Sequence, residues 1–311
     1  GGPTGFGKGP WVLGLGFWVL GLGVAAFAAI YYQDQHVSAG PTMVDKQIQG
    51  AESAVKKNPN NIEVRLQLAA AYLLNKRSDD ALTQYDTVLK ADKVNRFALL
   101  GRGHILIDKG DLKAASATYH EITDVARKGE FSGADTQAQE AYYYLGSIAL
   151  TQGKPEVAIT ELNHALTIDR ADSDSLYLLG KALLKEGKTD MAVVAFKQAV
   201  LFVPTGWCEP YVQLNVAYTK LGNATQATYD GAMANFCQKK SAEAKAQLNT
   251  LTAGPVKVQA MLGLALIAET ESSNPEAISW YQKVLKVDAK NITATSSLSR
   301  LGVKPTSSAT K

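Results

Sequence analysis

Apolar residues recur along most of this chain at helical rather than strand spacing. In SDSLYLLGKALLKEGKTDMAVVAFKQAVLFVP, Leu176, Leu179, Gly180 and Leu183 stand at i, i+3, i+4 and i+7, one stripe of an amphipathic helix. Gly187 interrupts the pattern, with Lys185 and Lys188 beside it, where cations complement a helix C-terminus. A second stripe, Ala192, Phe196, Ala199 and Val200, runs up to Pro204. So short a turn forces the two helices antiparallel. Gly180 and Ala192 let the backbones approach, and Phe196 fills the space that remains.

The same grammar recurs. Ala81, Ala115, Ala158, Ala192, Ala227 and Ala277 are spaced by 34, 43, 34, 35 and 50 residues. Most stand four residues before a bulky side chain: Tyr85, Tyr119, Leu162, Phe196 and Tyr281. Twelve residues before each lies a small or short one: Ala69, Gly103, Gly146, Gly180, Asn215 and Ala265. A period of about 34 residues signals a solenoid, in which each unit buries its apolar face only by stacking on its neighbours. With glycine, alanine, aromatic and proline in register, the pattern resembles the tetratricopeptide repeat. The resemblance covers roughly residues 42–302 and implies an all-α fold, a right-handed α-solenoid of about six helix-turn-helix repeats.

The units differ in informative ways. The first has Lys76 where others have glycine, and the fifth has Gly231 in place of the bulky residue. An insertion near Arg127 to Ala138, containing GEFSGAD, separates the second unit from the third. After the fifth, KKSAEAKAQLNTLTAGP reads as an extra short helix and turn before the sixth unit, Met261 to Leu285. The expected organisation is an N-terminal segment (1–10), a transmembrane helix (11–32), a linker (33–41) and a capping helix (42–61). The repeat array (62–291), a second capping helix (292–302) and a polar tail (303–311) follow.

Trp11 to Tyr32 has no charged residue over 22 positions, long enough to span a bilayer core of about 30 Å. A cleaved signal peptide is the rival reading, but its apolar region is shorter, about 7–15 residues; an uncleaved anchor is expected. WVLGLGF followed by WVLGLGV spaces Gly14 and Gly21 seven apart, and Gly21, Ala25 and Ala29 continue a small-residue line suited to close helix packing in lipid. Lys8 precedes the segment and no Lys or Arg follows until Lys46, which puts the amino terminus in the cytoplasm and the repeats outside. The only two cysteines, Cys208 and Cys237, fall at the start of one helix and near the end of its antiparallel partner. A disulfide between them is geometrically reasonable and suits an oxidising, extracytoplasmic compartment.

Composition changes the picture little. A net charge of +3, with no basic stretch interleaved with aromatics, gives no footprint for nucleic acid. Residues 182–189 fit a relaxed phosphate-loop pattern, but they lie on a helix end and a turn with counterparts at Gly110, Gly153 and Gly222. The four histidines are scattered without metal-ligand spacing, and no nucleophile motif occurs. No catalytic residue, metal or cofactor is expected, and no small-molecule substrate.

Recognition remains. In a repeat of this kind the first helix turns one stripe to its partner and another to the concave side of the superhelix. The second stripe here runs through Leu66, Ala70 and Leu73, then Phe97, Leu100 and His104, then Tyr143 and Ser147, Tyr177 and Lys181, and Val212 and Val216. An apolar strip flanked by polar residues marks an interaction site, and a helix or extended peptide in a groove is the usual mode. The carboxylate clamp of chaperone-binding repeats is absent, because Leu66, Ala70, Leu100 and His104 stand in its places. The expectation is a membrane-anchored, non-catalytic scaffold binding protein partners, as an accessory or assembly subunit of a membrane complex. A chaperone-like binder of unfolded clients, of the cytochrome c maturation type, and an organelle import receptor are the alternatives.

Overall fold

The computed structural model describes residues 42–129, 135–203 and 206–303. The proposed membrane segment with Gly14, Gly21, Ala25 and Ala29, most of the 130–135 insertion, Pro204 and the tail beyond Val303 lie outside the described residues. Among the described residues every regular element is a helix, and none is long and apolar enough to cross a membrane. The chain divides into two compact units, one ending at Gln84 and one beginning at Tyr85.

The first unit holds α1 (Met43–Lys57), α2 (Ile62–Leu74) and the start of α3 (Ser78–Ala91). Thr42 caps α1 in a reciprocal box with Asp45, satisfying otherwise orphaned backbone donors. Ile48, Leu68, Ala69 and Tyr72 are buried, and the Tyr72 hydroxyl donates to Glu52 Oε1 at 2.8 Å.

The second unit continues with α4 (Arg96–Asp108), α5 (Leu112–Ala126), α6 (Thr136–Thr151), α7 (Pro155–Ile168), α8 (Ser173–Lys185) and α9 (Thr189–Phe202). It ends with α10 (Glu209–Lys220), α11 (Ala224–Cys237), α12 (Ser241–Thr250), α13 (Lys257–Thr270), α14 (Asn274–Val287) and α15 (Ile292–Arg300). Helices pack in sequential pairs, and α4, α6, α8 and α10 also touch one another in succession, forming one face of first helices.

The small-to-bulky register is a steric lock between paired helices. A Cβ on Gly146 would sit 2.5 Å from Leu162 Cγ, and one on Gly103 2.5 Å from Tyr119 Cζ; Gly180 meets Phe196 in the same way. The fifth unit inverts the lock. There Asn215 supplies the bulk and Gly231 the space, and Asn215 Nδ2 donates to the Ala227 carbonyl at 2.6 Å.

The turn from first to second helix carries its own signature. Lys76, Gly110, Gly153, Gly187, Gly222, Lys239 and Ser272 have φ between +57° and +77°, and each stands five residues before an alanine. At each turn the next N–H donates back to the carbonyl five residues earlier, as in Lys188 to Leu183 at 2.9 Å and Lys240 to Asn235 at 2.9 Å, the Schellman closure of a helix end.

Lys239 revises the reading of the extra helix. It marks a first-to-second turn between α11 and α12, and Ala232, Ala244 and Leu248 repeat the twelve-and-four spacing of the other units. These three lie in a separate core with Leu251, Val256, Ala260, Leu264 and Ile267. Helix α11 is therefore second helix to α10 and first helix to α12, and it also touches α13. The array slips by one helix at α11.

Candidate functional site

The predicted recognition residues divide between the two units. In the first, Ala70 is exposed and Leu66 and Leu73 are half-buried on α2. In the second, Phe97 is 68% exposed, whereas Leu100 is 8% exposed and belongs to the core with Leu99, Tyr119 and Tyr142. Leu100 thus leaves the strip and belongs to the core. His104, Tyr143, Ser147, Tyr177, Lys181 and Val212 are half-buried, and Val216 is 38% exposed.

The structure gathers part of this row into an aromatic strip. The His104 and Tyr144 rings lie 4.7 Å apart, Tyr144 stacks on Tyr119 at 5.2 Å, and Tyr143 meets Tyr144 edge-on at 5.1 Å. On α8 the Tyr177 ring meets Trp207 edge-on at 5.1 Å and Phe196 at 5.9 Å, and Lys181 Nζ stands 5.4 Å over it. Ser147, Val212 and Val216 join no ring contact. Tyr144 and Trp207 are members that the spacing argument missed. Three consecutive tyrosines, 142 to 144, sweep about 200° of a helix and so face both core and surface.

Carboxylates stand beside the rings of the strip. His104 Nε2 lies 3.1 Å from Glu140 Oε1, close enough for an ion pair but without the alignment of a hydrogen bond. Burial, with the charges of Asp174 and Asp172 and the neighbouring Tyr144, pushes the Tyr143 hydroxyl up to about 12. Burial also raises Tyr119 far above the usual phenol range, and its fully buried hydroxyl has no hydrogen-bond partner among the described residues. Asp172 accepts from Gln139 Nε2 at 2.6 Å and from Ser175 Oγ, which fixes the acidic end of α8 against α6.

Cys208 and Cys237 are joined, with Cα atoms 5.4 Å apart, tying the start of α10 to the end of α11 as the antiparallel pairing predicts. Beside this bond a cavity of about 300 Å³ opens where the array slips, lined by Tyr211, Met233, Phe236, Lys239, Leu266 and Thr270 among others. Asp230 is buried on α11, and burial pushes its carboxyl up to about 7 against the pull of a 3.3 Å hydrogen bond from Gln226 and the charge of Lys197. Among the described residues no group of His, Cys, Asp or Glu could hold a metal. Asn223 and Asn291, which open sequons, serve as helix N-caps, accepting from Gln226 and Ala294 backbone N–H at 3.0 Å.

Helical hairpins stacked by a glycine-to-bulky lock and closed by left-handed turns define a class of solenoid scaffold. Models of the tetratricopeptide repeat match residues 48–102, 100–175, 173–202 and 229–292, and the chain carries these repeats. The last match opens within α11, in agreement with the helix slip. No curated protein sequence matches the chain significantly. Among solved structures, MamA is 25% identical with a TM-score of 0.51, over 58% of this chain and 94% of that one. YrrB, described as a tetratricopeptide protein with an unusual peptide-binding site, is 20% identical at 0.51, over 63% and 96%. The C-terminal part of a repeat protein from Cytophaga hutchinsonii is 19% identical at 0.52, over 82% and 94%. The latter two likenesses concern the fold alone.

Proposed function

We propose that this protein is a non-catalytic scaffold that binds protein partners on the face of its first helices, as an accessory or assembly subunit of a membrane complex. The observation that carries the reading is the half-exposed aromatic row of His104, Tyr143, Tyr144 and Tyr177. Rings held by packing yet open on one side lose little entropy on binding and anchor interfaces. Phe97 and Val216 extend the row at its two ends, and Leu66, Ala70 and Leu73 give the first unit a matching apolar stripe. The uncharged stretch from Trp11 to Tyr32 supports a single-pass anchor, and its small-residue line of Gly14, Gly21, Ala25 and Ala29 a membrane-embedded contact. Lys8 and the Cys208–Cys237 bond favour an array outside the cytoplasm.

A photo-crosslinking residue at Tyr143 tests the face directly, with one at Val194, on the second-helix side, as the contrast. Val194 is itself exposed and apolar, so it represents the competing surface. A partner crosslinked from Tyr143 and not from Val194 is the expected outcome. Crosslinking from Val194 alone moves recognition to the other face.

A further inference from the structure

The first-helix strip combines aromatic rings with nearby carboxylates, most of which have no ion-pair partner among the described residues. Asp108 on α4, Glu140 on α6, Asp174 on α8 and Glu209 at the start of α10 all act on the hydroxyls of Tyr119, Tyr143, Tyr144 or Tyr177. Glu140 faces His104, while Asp108, Asp174 and Glu209 have no ion-pair partner among the described residues. The unpartnered Tyr119 hydroxyl lies at the floor of the strip, under the Tyr144 ring. Lys181 already places an ammonium 5.4 Å over Tyr177, an internal example of what these rings accept.

We propose that the strip takes a cationic segment of a protein partner, with Arg or Lys side chains lying on the Tyr143, Tyr144 and Tyr177 rings and facing Asp108, Glu140 and Asp174. This rests on the reading of the first-helix face as the recognition surface, and adds the partner's charge. The electron-rich face of each ring attracts a cation. Carboxylates beside the rings add to that attraction and repel an anionic competitor. An acidic peptide or a free carboxyl terminus is therefore the wrong ligand for this face.

The test uses the full chain and three fluorescent synthetic peptides of about 12 residues, enough when extended to cross three helices packed about 10 Å apart. The peptides share their apolar residues and carry Arg, Gln or Glu at the remaining positions. Fluorescence anisotropy should show the Arg peptide binding about tenfold or more tighter than the Gln peptide, with the Glu peptide weakest. The preference should shrink as salt rises from about 50 to about 500 mM. In the Asp108→Asn/Glu140→Gln/Asp174→Asn variant the Arg preference should disappear, with helical circular dichroism unchanged. Equal binding of the Arg and Gln peptides, binding of neither, or an Arg preference that survives in the variant overturns the proposal. The recognition face itself is judged separately, by the Tyr143 and Val194 crosslinks, which do not depend on peptide charge.

Discussion

Three first-to-second turns hold a left-handed residue other than glycine: Lys76, Lys239 and Ser272. A side chain there costs about 1–2 kcal/mol relative to glycine, part of which glycine gives back as unfolded-state entropy. Lys76→Gly should thus raise stability by up to about 1 kcal/mol, and Gly187→Ala should lower it by a similar amount, as read by urea melts. Asp230 sets a pH dependence. Its carboxyl rises from 3.8 to about 7 on folding, so the folded state holds its proton where the unfolded chain has released it. Stability from this group is full below pH about 4 and declines as pH rises through about 7, by a few kcal/mol at most. Asp230→Asn should therefore stabilise above pH 7 and change little near pH 4. A stability difference that is the same at both pH values would show that burial of the charge is not the cause. At this scale the sequence shows its hand unevenly. Gly180 and Phe196 announce their contact by spacing, whereas Asp230 is buried on α11, a helix packed by α10, α12 and α13, which no local pattern displays.

Among the elements, α12 was legible as a helix but not as half of a repeat. Its turn residue is Lys239 rather than glycine, and its first small residue, Ala232, lies on the helix that already closes the fifth unit, so Ala232, Ala244 and Leu248 do not announce a separate repeat. If α12 shares a core with α11 and α13, Leu248→Ala should cost about 2–5 kcal/mol, a loss typical of a buried leucine rather than of an appended surface helix. The disulfide acts one element earlier. It joins residues 29 apart in sequence, tying α10 to α11, and its removal by Cys208→Ser should cost about 3 kcal/mol on the chain-entropy argument. Native protein should react with thiol reagents only after reduction. Two freely labelled thiols before reduction would contradict the pairing.

For the molecule as a whole, the stacking of repeats was readable because each unit restates the same steric rule. The recognition strip was readable only in part. Helical periodicity put Tyr143 and Tyr177 on one side and also put Leu100 there, although Leu100 is buried in the core with Tyr119 and Tyr142. It could not foresee that Tyr144 would bridge Tyr143 to His104 and Tyr119, since that depends on how α4, α5 and α6 meet. The central claim is that partners bind to this strip, and the Tyr143→Ala/Tyr177→Ala variant addresses it most directly. Truncating anchors of this kind costs about 2 kcal/mol or more of binding energy each, while Phe196→Ala, a core change, should cost about 3–5 kcal/mol of stability. The measurement is the amount of partner recovered per mole of the full chain after mild detergent extraction, alongside the thermal melt of each variant. The account predicts that the double tyrosine variant melts near wild type and recovers its partner at a small fraction of the wild-type yield. Full recovery by a folded double variant would contradict it.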